Sequence, residues 1–171
     1  MAIEGTHDSR EPHILSSLQR LWRGVLWLTV VAMLPSAEAQ HPPWRAAVAT
    51  TETYRIAGST LQVDFAPGPL QLSTKAIADS VEQTAASVAE YYGKFPVTRA
   101  RVLIVPVAGQ AGVLGGTTWG NVGGDPGFVR IRLGQNTSLN DLAQDWVITH
   151  ELIHLALPSQ ERQQHWLEEG I

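Results

Sequence analysis

Between Thr53 and Phe65 polar and apolar positions alternate: the short runs TYRIAG and LQVDF, with Gly58 and Ser59 between them, have the period of two of a half-buried β-hairpin. The pattern predicts that a sheet begins near Thr53. From Ser73 to Tyr92 the period changes. Ile77, Val81, Val88 and Tyr92 recur at helical spacing, Ser73 stands where an N-cap is needed, and Gly93 and Pro96 supply stop signals. This predicts an amphipathic helix covering one face of the sheet. RVLIVPV, from Arg101 to Val107, is a continuous β-branched run that suits a central strand buried on both sides until Pro106 ends its pairing.

The next segment, Gly109 to Gly127, holds eight glycines. No helix with a phosphate-facing N-terminus follows them, so they form no nucleotide fingerprint, and the expectation is a flexible surface loop. FVRIRL then alternates Val129, Ile131 and Leu133 against Phe128, Arg130 and Arg132, and arginines along one face predict an exposed or edge strand. NTS at Asn136 matches a glycosylation sequon, a short motif that carries little weight. Ser138 and Asp141 form an S-x-x-D capping box, and the helix they open is expected to run through LAQDWVITHELIHLAL to Pro158. Ser159 can cap a second helix over QERQQHWLEEG. The element order gives an α+β fold: a small mixed sheet from Thr53 to Leu133, one covering helix, and a C-terminal helical pair.

Composition narrows the setting. A chain of 171 residues with 44% apolar content fills one core, so residues 40–171 are expected to be a single domain. Before it, Arg20 and Arg23 precede the apolar run GVLWLTVVAML, and Ala37 and Ala39 make an A-x-A site: a secretory signal with cleavage expected after Ala39. Residues 1–39 are thus an N-terminal extension and signal peptide, with an unusually long polar stretch before Leu18 that suggests a translation start placed too far upstream. An eleven-residue run falls short of the roughly 20 that span a bilayer, so no stable membrane span is expected after cleavage, and the product is expected to be secreted or periplasmic. The absence of cysteine rules out disulfides, thiolate metal sites and Cys nucleophiles. A net charge of −4 with scattered Lys and Arg offers no basic footprint for nucleic acid, which is not expected as a partner.

The chemistry concentrates in HELIH. On a helix, His150 and His154 lie one turn apart on one face, so both imidazoles can reach a single ion at about 2.0–2.1 Å, as Zn²⁺ requires. Glu151 lies beside them, where a carboxylate can take a proton from water activated by the metal. Leu142, Trp146, Val147, Ile148, Leu152, Ile153 and Leu155 make the helix apolar almost all round, and buried His and Glu side chains there are costly unless a cation offsets them. H-E-x-x-H by itself specifies three positions, and two histidines on such a helix can simply be hydrogen-bonded. His165, Glu168 and Glu169 are all within reach as a third ligand; folding the second helix back about Pro158 and Ser159 would favour His165, so geometry alone does not choose Glu169. The pattern H-E-x-x-H-x-x-G-x-x-H is excluded, because Leu157 and Gln160 occupy its Gly and His positions.

HELIH followed by HWLEEG, over residues 150–170, resembles the gluzincin metallopeptidases of the peptidase MA-like group, where H-E-x-x-H on one helix is followed by W-L-x-E-G on the next. The resemblance implies His150, His154 and Glu169 as Zn²⁺ ligands, Glu151 as general base, Glu168 at the variable position, and a zinc metallopeptidase acting on peptide or protein substrates. It also implies a sheet edge that pairs with extended substrate, in the place occupied by GGTTWG and FVRIRL, so Thr117, Thr118 and Trp119 are candidate cleft residues. In that family an acid that orients a ligand histidine and an oxyanion-stabilising Tyr or His follow the third ligand. The sequence ends at Ile171 without them, and the expectation is a C-terminally incomplete fragment carrying the zinc-binding half of an enzyme. Two other readings stay open: a non-catalytic zinc-binding domain of the same fold, and a metal-free sheet-edge peptide-binding module.

Overall fold

A computed structural model describes residues 42–122 and 125–157, all within the unit that runs from His41 to Ile171. The expected signal segment and the second C-terminal helix, with His165, Glu168 and Glu169, lie outside the described residues. After a short 3-10 turn at Pro43–Arg45 come β1 (Thr50–Ile56), β2 (Ser59–Phe65), α1 (Thr74–Tyr92), β3 (Arg99–Val107), β4 (Val113–Val122), β5 (Asp125–Gly134), α2 (Leu139–Ala143) and α3 (Val147–His154). The strands form one five-stranded sheet in the order β1-β2-β3-β5-β4. β1 with β2 and β4 with β5 are antiparallel, whereas β3 runs parallel to both β2 and β5. The fold is therefore α+β with a mixed sheet.

Local chemistry explains most boundaries. Ala57 and Gly58, with φ of 47° and 87°, close the β1–β2 hairpin between paired Ile56 and Ser59, and two positive φ values are what a type I′ turn needs to match strand twist. α1 starts where the Ser73 hydroxyl accepts from the Ala76 N–H at 3.2 Å and ends at left-handed Gly93. Its buried face, Ile77, Ala78, Val81, Ala85, Val88 and Ala89, recurs every three or four residues and joins Leu61, Val63, Val102, Ile104, Val129 and Ile131 in one core. Fully burying a Val, Leu or Ile side chain contributes about 1.5–3 kcal/mol, which outweighs the weak helix preference of the β-branched residues.

The opposite face of the sheet is built differently. Asp64, 1% exposed, accepts from Thr51 Oγ1 at 2.6 Å and Gln62 Nε2 at 3.0 Å, and is ion-paired with Arg101. Arg101 also donates from Nη1 to the Trp44 carbonyl at 2.7 Å, tying the lead-in segment to the sheet. A buried carboxylate persists there because every lone pair has a donor; removing one partner would leave an uncompensated charge.

Four expectations change. Val113–Val122, within the glycine-rich segment read as a loop, is an edge strand, because Val113, Thr117, Thr118 and Trp119 favour extended backbone and pairing with β5 offsets the cost of the glycines among them. β5 is consequently an inner strand rather than an edge; Arg132 is exposed, while Arg130 stacks on Trp119 at 5.6 Å. The strand containing Pro106 continues to Val107, paired with β5 through Gly134. Ile104 accepts from Ala66 on the β2 side, so Pro106, two residues on, turns its missing donor toward a strand that has already ended. Finally, the single helix expected from Ser138 to Pro158 is two helices: the capping box opens α2, but the chain leaves it at Gln144, and Asp145 Oδ1 accepts from the Ile148 N–H at 3.1 Å to begin α3.

Candidate metal and catalytic site

α3 is eight residues long and is held by the sheet beneath it. Ile148 and Leu152, 3% and 0% exposed, face the core, which fixes the rotation of the helix and places the other side chains. His150 and His154 then share a half-buried flank, with their Nε2 atoms 2.9 Å apart and their rings edge to face at 84°. Two nitrogens that each reach one ion at about 2.0–2.1 Å must lie within about 4 Å of each other, and this pair does. At 2.9 Å at least one of the facing nitrogens presents a lone pair, since two N–H groups would repel. The exposed Trp146 indole sits edge-on to His150 at 5.2 Å.

Glu151 points from the same helix toward β4. It is 7% exposed, and its Oε2 accepts from Thr118 Oγ1 at 2.7 Å; the same hydroxyl lies 2.8 Å from the Glu151 carbonyl oxygen. Gly116 makes room for it: a Cβ there would fall 2.3 Å from Glu151 Cγ and 2.7 Å from Oε1. Gly127 on β5 does the same for Leu155, whose Cδ2 would lie 2.5 Å from an added Cβ. Two glycines in the sheet are therefore the sockets into which the motif helix seats.

The structure thus forms two pairs among the sequence-predicted residues, His150 with His154 and Glu151 with Thr118. Thr117 and Trp119 alternate to the other face of β4. There the Thr117 hydroxyl donates to the Gly116 carbonyl at 2.7 Å, and Trp119 packs on Phe128 and Trp44 at 5.7 and 6.5 Å. Among the described residues no group of three or more His, Cys, Asp or Glu side chains gathers as for a metal ion, and Glu169 lies outside them. Sequence reasoning missed Gly116 and Asp145. Paired glycines in a stretch that otherwise reads TTW were the available signal for the first, since an isolated gap in a strand marks close approach of a neighbour.

No family model matches this chain, and no curated protein does. Among solved structures, an aminopeptidase N family protein from Idiomarina loihiensis is similar, with 16% identity and a TM-score of 0.49 over 71% of this chain and 23% of that one. The chain spans less than a quarter of that protein's length. Among the described residues no helix is long and apolar enough to cross a membrane.

Proposed function

We propose that residues 40–171 form part of a gluzincin-like zinc metallopeptidase that hydrolyses peptide bonds, with His150, His154 and Glu169 as metal ligands and Glu151 as general base. The observation that carries this reading is the convergence of the two Nε2 atoms at 2.9 Å on the helix that also carries the buried Glu151. Two imidazole nitrogens suit zinc, and the family pattern H-E-x-x-H followed by W-L-x-E-G, matched here by WLEEG, would supply Glu169 as the third ligand. A zinc ion bound there would supply Lewis acidity and bring the pKa of a coordinated water toward roughly 7. The chain's own residues divide the remaining work. His150 and His154 orient the ion, Glu151 accepts the proton, and the outer edge of β4 offers main-chain groups to an extended peptide. Residues 1–39 would direct the protein out of the cytoplasm.

A second reading, favoured by β4 lying at the sheet edge, is peptide capture without chemistry. Metal analysis separates the two. The expected result is about one Zn²⁺ per chain, lost in His150→Ala or His154→Ala, because the ligands that remain cannot close a site. Glu169→Ala should weaken zinc binding far more than Glu168→Ala or His165→Ala, and Glu151→Gln should retain zinc while abolishing hydrolysis. Stoichiometric zinc in the double His→Ala variant would refute the site. A greater loss in His165→Ala would reassign the third ligand, and hydrolysis surviving Glu151→Gln would refute the chemistry.

A further inference from the structure

A glutamate that must accept a proton at one place and release it at another needs a fixed carboxylate, and a side chain with three torsions does not supply one unaided. Here strand β4 does. Gly116 admits Cγ, Cδ and Oε1 into the space its own side chain would fill, and the Thr118 hydroxyl holds Oε2 at 2.7 Å. Threonine is β-branched, so its χ1 is stiff in a strand and the hydroxyl is aimed by the backbone rather than by chance. We propose that Thr118 is a positioning residue that fixes the Glu151 carboxylate through Oε2, with Gly116 as the socket that makes this possible.

The proposal rests on the peptidase reading for its function but not for its contact. A structural rival exists: Glu151 belongs to the last turn of α3, whose carbonyls lack helical partners, and Thr118 Oγ1 is also 2.8 Å from the Glu151 carbonyl. On that rival Thr118 merely caps a helix end. A double-mutant cycle in metal-free full-length protein distinguishes the two bonds. Glu151→Ala removes the carboxylate and leaves the carbonyl, and Thr118→Val removes the hydroxyl at nearly constant volume.

Urea unfolding of the four proteins should show coupling of about tenfold or more in the unfolding equilibrium constant, as a charge-assisted bond gives. Additive effects would overturn the proposal whether or not the protein proves to be a peptidase. In zinc-loaded protein that cleaves peptides, Thr118→Val should lower kcat about 10- to 100-fold with KM and zinc content unchanged, and Thr118→Ser should restore most of it. Wild-type kcat in the Val variant, or equal loss in Val and Ser, would also overturn it. A wild-type chain that binds zinc and cleaves nothing would count against the peptidase reading instead, and the cycle would still decide the contact.

Discussion

The two edges of the sheet are held in opposite ways. β1 is regular, pairing with β2 residue for residue from Thr50↔Phe65 to Ile56↔Ser59, and it is anchored by side chains it possesses: Thr51 on Asp64, and Tyr54 on Asp79 of α1 at 2.8 Å. Its positions Thr51, Thr53 and Arg55 are exposed, and the charge of Arg55 discourages pairing with a stranger. β4 is irregular, with a register shift between Val113 and Gly115, and it is anchored by a side chain it lacks, since Gly116 is where Glu151 enters. One edge is held by its own side chains and the other is shaped around a neighbour's. The difference teaches that glycine in a strand can be a positive specification, made by the helix that packs on it.

The sharpest way to break this comparison is to fill the socket. Gly116→Val drives side-chain atoms into Glu151 and should cost about 1–3 kcal/mol or more, as overpacking does, whereas Thr53→Val on the other edge should stay within about 0.5 kcal/mol. Equal urea midpoints for the two variants would remove the asymmetry. A smaller effect tests the regular edge: Ala57 holds a positive φ that asparagine tolerates better, so Ala57→Asn should raise stability by about 0.5 kcal/mol without moving the register.

The smallest effect is a pH dependence confined to the β1 side. Partial burial, then the hydrogen bond and charge of Asp79, raise the Tyr54 pKa, while hydrogen bonds from Lys75 and then Tyr54 lower that of Asp79. The Tyr54 contribution is fully present below the unfolded pKa near 10 and is lost as pH rises through the raised folded value. The Asp79 contribution is present above about 3.9 and is lost as pH falls through the lowered folded value. Tyr54→Phe should flatten the alkaline limb above about pH 10 in a plot of urea midpoint against pH. Variants at Gly116 should leave that limb unchanged; a shift there would show that the two edges are coupled.

Elements with a strong period and a cap were legible in the sequence. The β1–β2 hairpin, α1 with Ser73 and Gly93, the central strand and the capping box at Ser138 all follow from side chains acting within a few residues of themselves. What was not legible depends on residues far away. In Val113–Val122 the glycines mask the strand preference of Val113, Thr117, Thr118 and Trp119 until β5 pairs with it, and Asp145 breaks a continuous apolar helical pattern by turning its carboxylate onto Ile148. The candidate site divides in the same way. His150 and His154 were paired by spacing, while the contact between Thr118 and Glu151 joins positions 33 residues apart that no local pattern relates.

The parallel arrangement around β3 has a consequence for the nascent chain. β1–β2 and β4–β5 are hairpins that close locally, but β3 finds its partners only at long range, with Thr60 opposite Arg99 and Ala100 opposite Gly127. Until both hairpins dock, Val102, Leu103, Ile104 and Val105 form an unsatisfied apolar segment of high β-propensity, the kind that seeds aggregation. Arg99 and Arg101 at one end and Pro106 at the other are gatekeepers for that interval, opposing stacking by charge and by the missing N–H. The same Pro106 breaks no ladder once folded, because β2, the strand on the side of its missing donor, pairs only as far as Phe65 opposite Ile104.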